Sequence, residues 1–250
     1  MKTFRAKVRE ISLKLGIYKW VRLASLKVCG DHAQKNDLTF FRTLLHPGDR
    51  VFDVGANRGQ STEVFLRAGC EVVSFEPQNQ LHNEIRQVCC GLGKFIIDGN
   101  GLGAVKEKKT LFLTDFDQTA SFRSDWEGPR IGEKTVTIGT LDEKIALYGA
   151  PRYCKIDVEG WELEVLSGLS RPIPIISFEF HTHGEELLQT RAVIERISQI
   201  GNYSFNIRLP GSNKFHLPDF LPQDRFTASF NGDFWKTLPR NYGDIFCVHV

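Results

Sequence analysis

Apolar positions along the chain change their period several times, and each change predicts an element. Phe4, Val8, Ile11, Leu15 and Tyr18 are spaced four, three, four and three. That spacing puts them on one face of an amphipathic helix, with Lys and Arg around the rest and Gly16 weakening its end. A short polar stretch over 30–37 follows. From there strand-like and helix-like segments alternate. A compact apolar run over 51–54 comes after the turn residues His46-Pro47-Gly48-Asp49. A helix over 60–68 stops at Gly69, a residue suited to the left-handed position after a helix. The β-branched run over 71–75 reads as a strand ending at Glu76-Pro77, and 78–90 as a helix with Leu81, Ile85 and Val88 on one face. A short strand follows over 94–97. Alternation over 110–113 and 135–138 predicts a local antiparallel pair around a polar loop.

Further on the pattern gives a helix over 141–148, a strand over 153–158, a helix from 161 to 166, a long apolar strand over 173–180 and a helix over 185–200. Two strand-like segments, 203–208 and 244–250, close the chain. Strands alternating with helices at this spacing imply a mostly parallel sheet covered on both faces. Composition does not break after residue 40. The expected organisation is therefore an N-terminal basic, amphipathic helical extension over 1–40 and one α/β domain over 41–250.

Charge sharpens that division. The 250 residues carry a formal net charge of only +2. Yet Lys2, Arg5, Lys7, Arg9, Lys14, Lys19, Arg22 and Lys27 against the single acid Glu10 make the first 30 residues +7, leaving −5 for the rest. A mildly acidic body disfavours nucleic acid as a partner. Hydrophobic content of 41% and charged content of 25% exclude disordered and fibrous classes. No run approaches the roughly 18 apolar residues of a membrane span, and basic residues interrupt anything resembling a signal peptide. The six cysteines form no Cys-x-x-Cys pair. Cys70, Cys154 and Cys247 lie in or beside strand-like runs, where Cys acts as a small buried hydrophobe. These features predict a reduced, cytoplasmic protein without a zinc site.

The chemistry begins at Val51-Phe52-Asp53-Val54-Gly55-Ala56-Asn57-Arg58-Gly59-Gln60, a strand, a glycine turn and a helix start. Gly55 and Gly59 allow a tight turn and close approach of a ligand, and amides at the helix start can donate to it. The spacing is not the Gly-x-Gly-x-x-Gly of nicotinamide and flavin enzymes. Asp53, two residues before Gly55, would repel a pyrophosphate but suits a ligand with a cationic amino group. Glu76 ends the next strand, where an acid can accept both hydroxyls of an unphosphorylated ribose. A cation and a free ribose together describe S-adenosylmethionine. The plainer reading is a generic strand–turn–helix with an incidental acid, which would need all three features to coincide.

Phe52-Asp53-Val54-Gly55-Ala56-Asn57-Arg58-Gly59, Phe75-Glu76-Pro77, Thr140-Leu141-Asp142, the run Lys155-Ile156-Asp157-Val158-Glu159-Gly160-Trp161-Glu162-Leu163-Glu164-Val165-Leu166, and Phe178-Glu179-Phe180-His181 together resemble the FkbM family of S-adenosylmethionine-dependent methyltransferases. The resemblance spans 51–181. It departs at Trp161, where a small residue is usual, and at Asn100-Gly101-Leu102-Gly103, a variant of the family's motif. It implies a class I methyltransferase (Rossmann-like) fold, a seven-stranded mostly parallel sheet with helices on both faces and a final antiparallel hairpin. It also implies O-methylation of a sugar, glycan or related small molecule, and cofactor contacts at Asp53, Gly55, Asn57, Gly59, Glu76, Pro77, Asn100 and Asp157.

An alcohol is a poor nucleophile until a base takes its proton. In an open parallel sheet the site lies beyond the carboxyl ends of the strands, where Asp157, Glu159, Glu179 and His181 fall. His181 is the first candidate base, because an unperturbed imidazole titrates near neutrality. Glu159 competes with it; Asp157 is placed near the methionine part of the cofactor, and His183 is a weaker candidate. Asp157 and Glu179 could alternatively hold a divalent metal, a minor option beside a metal-free site. Lys155, inside an apolar strand, is expected to pair with a neighbouring acid. The polar stretch 115–130 and the segment 209–240, with four prolines and the aromatics Phe215, Phe220, Phe226, Phe230, Phe234 and Trp235, are expected to cover the acceptor. Two other functions stay open: methylation of another acceptor such as nitrogen, and a non-catalytic S-adenosylmethionine-binding module. The basic extension is expected to pack on the domain or on a second subunit in a homo-oligomer. Its alternative is peripheral contact, through residues 1–30, with an anionic surface at the inner face of the membrane.

Overall fold

A computed structural model gives the fold, describing residues 4–18, 32–114, 120–124, 130–182, 185–231 and 234–250. Two helices, α1 (Phe4–Lys14) and α2 (His32–Leu44), precede the first strand. Then come β1 (Arg50–Val54), α3 (Gln60–Arg67), β2 (Glu71–Phe75), α4 (Asn79–Cys89) and β3 (Phe95–Asp98). A small excursion follows, with β4 (Gly101–Leu102), β5 (Glu107–Thr114) and β6 (Arg130–Gly139). The alternation resumes with α5 (Leu141–Tyr148), β7 (Tyr153–Ile156), α6 (Glu162–Ser167), β8 (Ile175–His181) and α7 (Glu186–Ile200). The chain ends in β9 (Tyr203–Arg208), β10 (Leu221–Pro222), α8 (Gln223–Asn231), α9 (Phe234–Thr237) and β11 (Tyr242–His249).

The main sheet runs β10-β9-β11-β8-β7-β1-β2-β3. Strands β3, β2, β1, β7 and β8 are parallel neighbours, while β11 is antiparallel to both β8 and β9. The last strand is thus inserted between β8 and β9, with Ile245 opposite Phe178 on one side and Ile207 on the other. This is the expected class I methyltransferase sheet; the two-residue β10 adds only a short outer edge. Strands β5 and β6 pair antiparallel with Thr110 opposite Thr135, as alternation predicts, and β4 joins them in a separate small sheet.

Strand parity divides the interior. Phe52, Val54, Cys154 and Ile156 point into one core with Leu166 and Ile194, while Val51 and Tyr153 point into the other with Phe40, Phe41 and Phe65. Cys70, Cys154 and Cys247 are buried, as small hydrophobes should be. Residue 40, the expected boundary, falls inside α2. Phe40 packs edge-on against Phe246, and Phe41 edge-on against Phe65. These rings bury α2 as part of the α/β domain. The polar composition of 30–37 concealed this, because only the helix's second half carries the anchoring aromatics.

Helix α1 reaches α4 through polar contacts, and Tyr18, just beyond its end, packs on the core. Arg9 pairs with Glu84 at 3.3 Å, and Gln87 Nε2 donates to the Leu13 carbonyl at 3.0 Å. Ile11 and Leu15 are exposed instead, while Ser12 is buried. Residues 19–30 of the basic segment lie outside the described residues. Among the described residues, no helix is long and apolar enough to cross a membrane.

Candidate active site

The turn after β1 is built for close approach. Gly55 has φ 84°, and a Cβ there would run into the Asp157 carbonyl oxygen. The N–H groups of Gly55 and Ala56 both donate to the Phe75 carbonyl, at 3.0 and 3.1 Å, which locks the turn onto the end of β2. Asn57 is left-handed too, at φ 48°. That conformation aims its N–H at Glu76 Oε2, 2.7 Å away, while the Gln78 N–H donates to Glu76 Oε1 at 2.8 Å. Burial pushes the Glu76 carboxyl up to about 7, and the two amides partly offset this.

A cavity of about 440 Å³ opens in front of this arrangement. The glycine turn at Gly55 and Asn57 and the strand end Glu76-Pro77 form one side, and Asn100 and Leu102 continue it. Leu111, Ala120 and Phe122 of the small sheet and its loop contribute an apolar wall. Asp157, Val158, Glu159, Glu179 and Tyr242 complete the lining, with Asp157 directly against Gly55. Lys134 Nζ, reaching from β6, donates to the Pro77 carbonyl at 2.8 Å and fastens the small sheet to the site.

Of the sequence-predicted contacts, Gly55, Asn57, Glu76, Pro77, Asn100 and Asp157 line this cavity. Gly59 instead packs its backbone against Ile85, where a Cβ would lie 3.2 Å from that side chain. Asp53 is the main departure. It is fully buried beneath α3, and Thr62 Oγ1 donates to its Oδ2 at 2.6 Å. The parity that turns Val51 into the α2–α3 core turns Asp53 the same way, so it underlies the cavity rather than facing it. Besides Glu76, the carboxylates that face it are Asp157, Glu159 and Glu179.

These acids are held by a second layer. Lys155 Nζ donates to Asp157 Oδ2 at 2.6 Å, fulfilling the expected pairing. Burial works to lower the Lys155 pKa, but Asp157, Asp53 and Asp244 outweigh it and raise the group. Glu159 sits at φ 54°, left-handed and uncommon for its type, followed by Gly160 at φ 86°. Ser121 Oγ donates to the Glu159 carbonyl at 2.8 Å. Glu162 Oε1 accepts from the Val158 and Gly160 N–H groups at 3.1 and 3.2 Å, closing the turn that presents Glu159. Sequence reasoning did not give Glu162 this role, although its spacing from Val158 is that of a side chain reaching back to a turn. Burial, with Asp157 and Glu179 nearby, pushes the Glu159 carboxyl up to about 8.

His181 does not line this cavity. Its Nε2 is 3.4 Å from Glu179 Oε2 and its Nδ1 3.9 Å from Glu186 Oε2, beside a small pocket that also touches Glu162. The Glu179 carboxylate holds the imidazole up to about 8 against the effect of burial. His183 lies outside the described residues. Among the described residues, no group of three His, Cys, Asp or Glu side chains is arranged to hold a metal ion.

The covering segments also differ from expectation. Phe215 packs edge-on against Phe40 and Phe246, and Phe226 stacks on Phe205 at 5.2 Å. These aromatics bury the outer strands, which would otherwise expose apolar faces. Of 115–130, Ala120 and Phe122 reach the cavity; 115–119 and 125–129 lie outside the described residues.

The chain matches the sequence profile described as Methyltransferase FkbM domain over residues 53–205, more than half its length. It belongs to that family. No curated protein matches it. Among solved structures, a TehB-like S-adenosylmethionine-dependent methyltransferase from Corynebacterium glutamicum is 10% identical, with 95% of this chain and 99% of that chain covered and a TM-score of 0.45. An rRNA methylase from Streptococcus thermophilus is 11% identical, covering 86% and 94%, with a TM-score of 0.46. A precorrin-6y C5,15-methyltransferase from Geobacter metallireducens is 10% identical, covering 86% of each chain, with a TM-score of 0.45.

The cofactor of an FkbM-family methyltransferase is S-adenosylmethionine, which when bound supplies a methyl group on a positively charged sulfur. The residues present fit it. Glu76 accepts one amide on each carboxylate oxygen and keeps lone pairs for ribose hydroxyls. Leu102, Leu111 and Phe122 offer an apolar wall for a base ring, and Asp157, Glu159 and Glu179 add carboxylates to the same lining.

Proposed function

We propose that this FkbM-family methyltransferase methylates a hydroxyl of a sugar, glycan or related small molecule. The observation that carries the reading is that Asp157, Glu159 and Glu179 all line the same cavity. A hydroxyl becomes nucleophilic as its proton leaves, and a carboxylate in contact with it can take that proton. An amine meeting the same wall would be stabilised as its ammonium, which has no lone pair to attack with.

Glu159 is the base in this reading. It lies on the cavity wall, and a carboxyl raised to about 8 accepts a proton more readily than an ordinary one. A bound sulfonium nearby would draw the group back down, so that Glu159 becomes ionised when the cofactor is in place. The hydroxyl proton would pass to the Glu159 carboxylate as the acceptor oxygen takes the methyl group that S-adenosylmethionine supplies when bound, with S-adenosylhomocysteine as the leaving product. His181, held protonated up to about 8 by Glu179, is a positioning partner of that carboxylate instead. Asp157, anchored by Lys155, provides fixed negative charge. Labelled S-adenosylmethionine incubated with neutral glycans tests the assignment. A methyl ether as product supports it, and transfer confined to amino-bearing acceptors overturns it.

A further inference from the structure

A second cavity, of about 490 Å³, lies on the other side of the same acids. It shares Gln60, Asp157, Glu179 and Tyr242 with the first, so the two spaces meet at those side chains. Lys155 and Asp244 line it from the sheet, and Ala33 and Asp37 line it from α2. Its volume is that of a small-molecule site.

This space is held open by specific bonds. Asn36 Nδ2 donates to the Gly211 carbonyl at 2.8 Å, and Arg208 pairs with Asp37, which together latch α2 to the end of β9. Arg208 Nε also donates to the Ser212 carbonyl at 3.0 Å. Both cations on the wall are therefore engaged: Arg208 by Asp37, and Lys155 by Asp157. The acids on the wall number four, Asp37, Asp157, Glu179 and Asp244, against these two cations. An anionic group entering here would find both cations already held by carboxylates and would have to compete with Asp157 or Asp37 for one of them, at a cost that a low-dielectric cavity increases. Hydroxyls would donate to the same carboxylates without that cost.

We infer that this second cavity binds the methyl acceptor as an uncharged, hydroxyl-rich glycosyl unit and rejects phosphorylated or carboxylated sugars. The inference rests on the methyl-transfer reading of the first cavity and adds the acceptor's place and charge. It also gives α2 a function, since this helix roofs the acceptor space while the cofactor space is walled by other elements.

The test uses the full chain saturated with S-adenosylhomocysteine, so that no turnover is needed. Neutral methyl glycosides, their phosphorylated counterparts and the matching uronates are the probes, read by saturation-transfer NMR and titration. The neutral glycosides should bind, and the charged ones should bind about tenfold more weakly or worse. Ala33→Trp, at an exposed helical position, should weaken neutral glycoside binding by at least about tenfold. It should leave the thermal shift caused by S-adenosylhomocysteine unchanged. Ala33→Leu serves if the larger residue impairs folding. Equal binding of charged probes, no glycoside binding to the wild type, or no effect of either substitution overturns the inference. Absence of the S-adenosylhomocysteine shift in the wild type would strike the cofactor reading instead.

Discussion

Gly55 faces the carbonyl oxygen of Asp157 so closely that no Cβ fits between them. The first glycine of the turn and the acid-bearing end of β7 are thus a single piece of surface. Gly55→Ala has to push these two strand ends apart and also to hold a left-handed φ of 84°. We expect loss of the thermal shift given by S-adenosylhomocysteine, with a destabilisation of about 1–3 kcal/mol from the backbone alone. Thermal melts with and without ligand check both, and an unaltered shift would refute the contact.

Glu76 gives a sharper test because both its oxygens already carry an amide. In Glu76→Gln one of the Asn57 and Gln78 N–H groups must face the new NH2 group, so the turn loses a bond and the site loses an acceptor. Affinity for S-adenosylhomocysteine should fall by about 1–3 kcal/mol, roughly ten- to a hundredfold. Calorimetric titration measures it. Because the carboxyl is raised to about 7, wild-type affinity should also weaken as pH drops below that value, and Glu76→Gln should flatten the dependence.

Stability should run against the usual acid trend. Glu76, Glu162 and Asp244 are raised to about 7, and Glu159 and His181 to about 8. A raised folded-state pKa means that the folded chain holds protons the unfolded chain has released. Stability from these groups is full below their ordinary values and is lost as pH climbs towards 7 and 8. The ligand-free protein should melt about 4 °C or more lower at pH 8 than at pH 5.5, a shift corresponding to about 1–2 kcal/mol in a chain of this size. Scanning fluorimetry across that range decides it, and a melting point that climbs with pH would mean that the buried acids are paired more strongly than these shifts allow.

The sequence was most legible where one residue type has one physical use. Gly55, the Glu76 strand end and the pairing of Lys155 with a neighbouring acid could be placed from spacing and charge, and β-branched runs marked the parallel strands. Asp53 could not, because its role depends on strand parity relative to a helix whose position was unknown. Had Val51 been assigned to the α2–α3 core, Asp53 would have followed it inward. His181 was illegible for a different reason: its proton affinity is set by Glu179 on the same strand and Glu186 on the next helix, and only the folded chain brings all three together. The second cavity needs α2, β7, β9 and β11 at once, and no local pattern reports such a convergence.

The identity of the base can be read from pH dependence. If Glu159 takes the proton, kcat/KM, which follows the free enzyme, should rise with pH through about 8. The kcat profile should be displaced to lower pH, since a bound cation favours ionised Glu159. Glu159→Gln should then remove the rising limb and lower kcat by about a hundredfold or more, while leaving cofactor affinity within a few-fold. His181→Ala should act more mildly, because losing the imidazole leaves Glu179 without its partner but keeps the base. The rising limb should survive in that variant with a changed midpoint, since His181 lowers the Glu159 pKa and its removal would push the midpoint upward. Steady-state rates of the three proteins between pH 6 and pH 9.5 separate the roles. A limb that vanishes with His181 and persists with Glu159→Gln would return the base to the histidine.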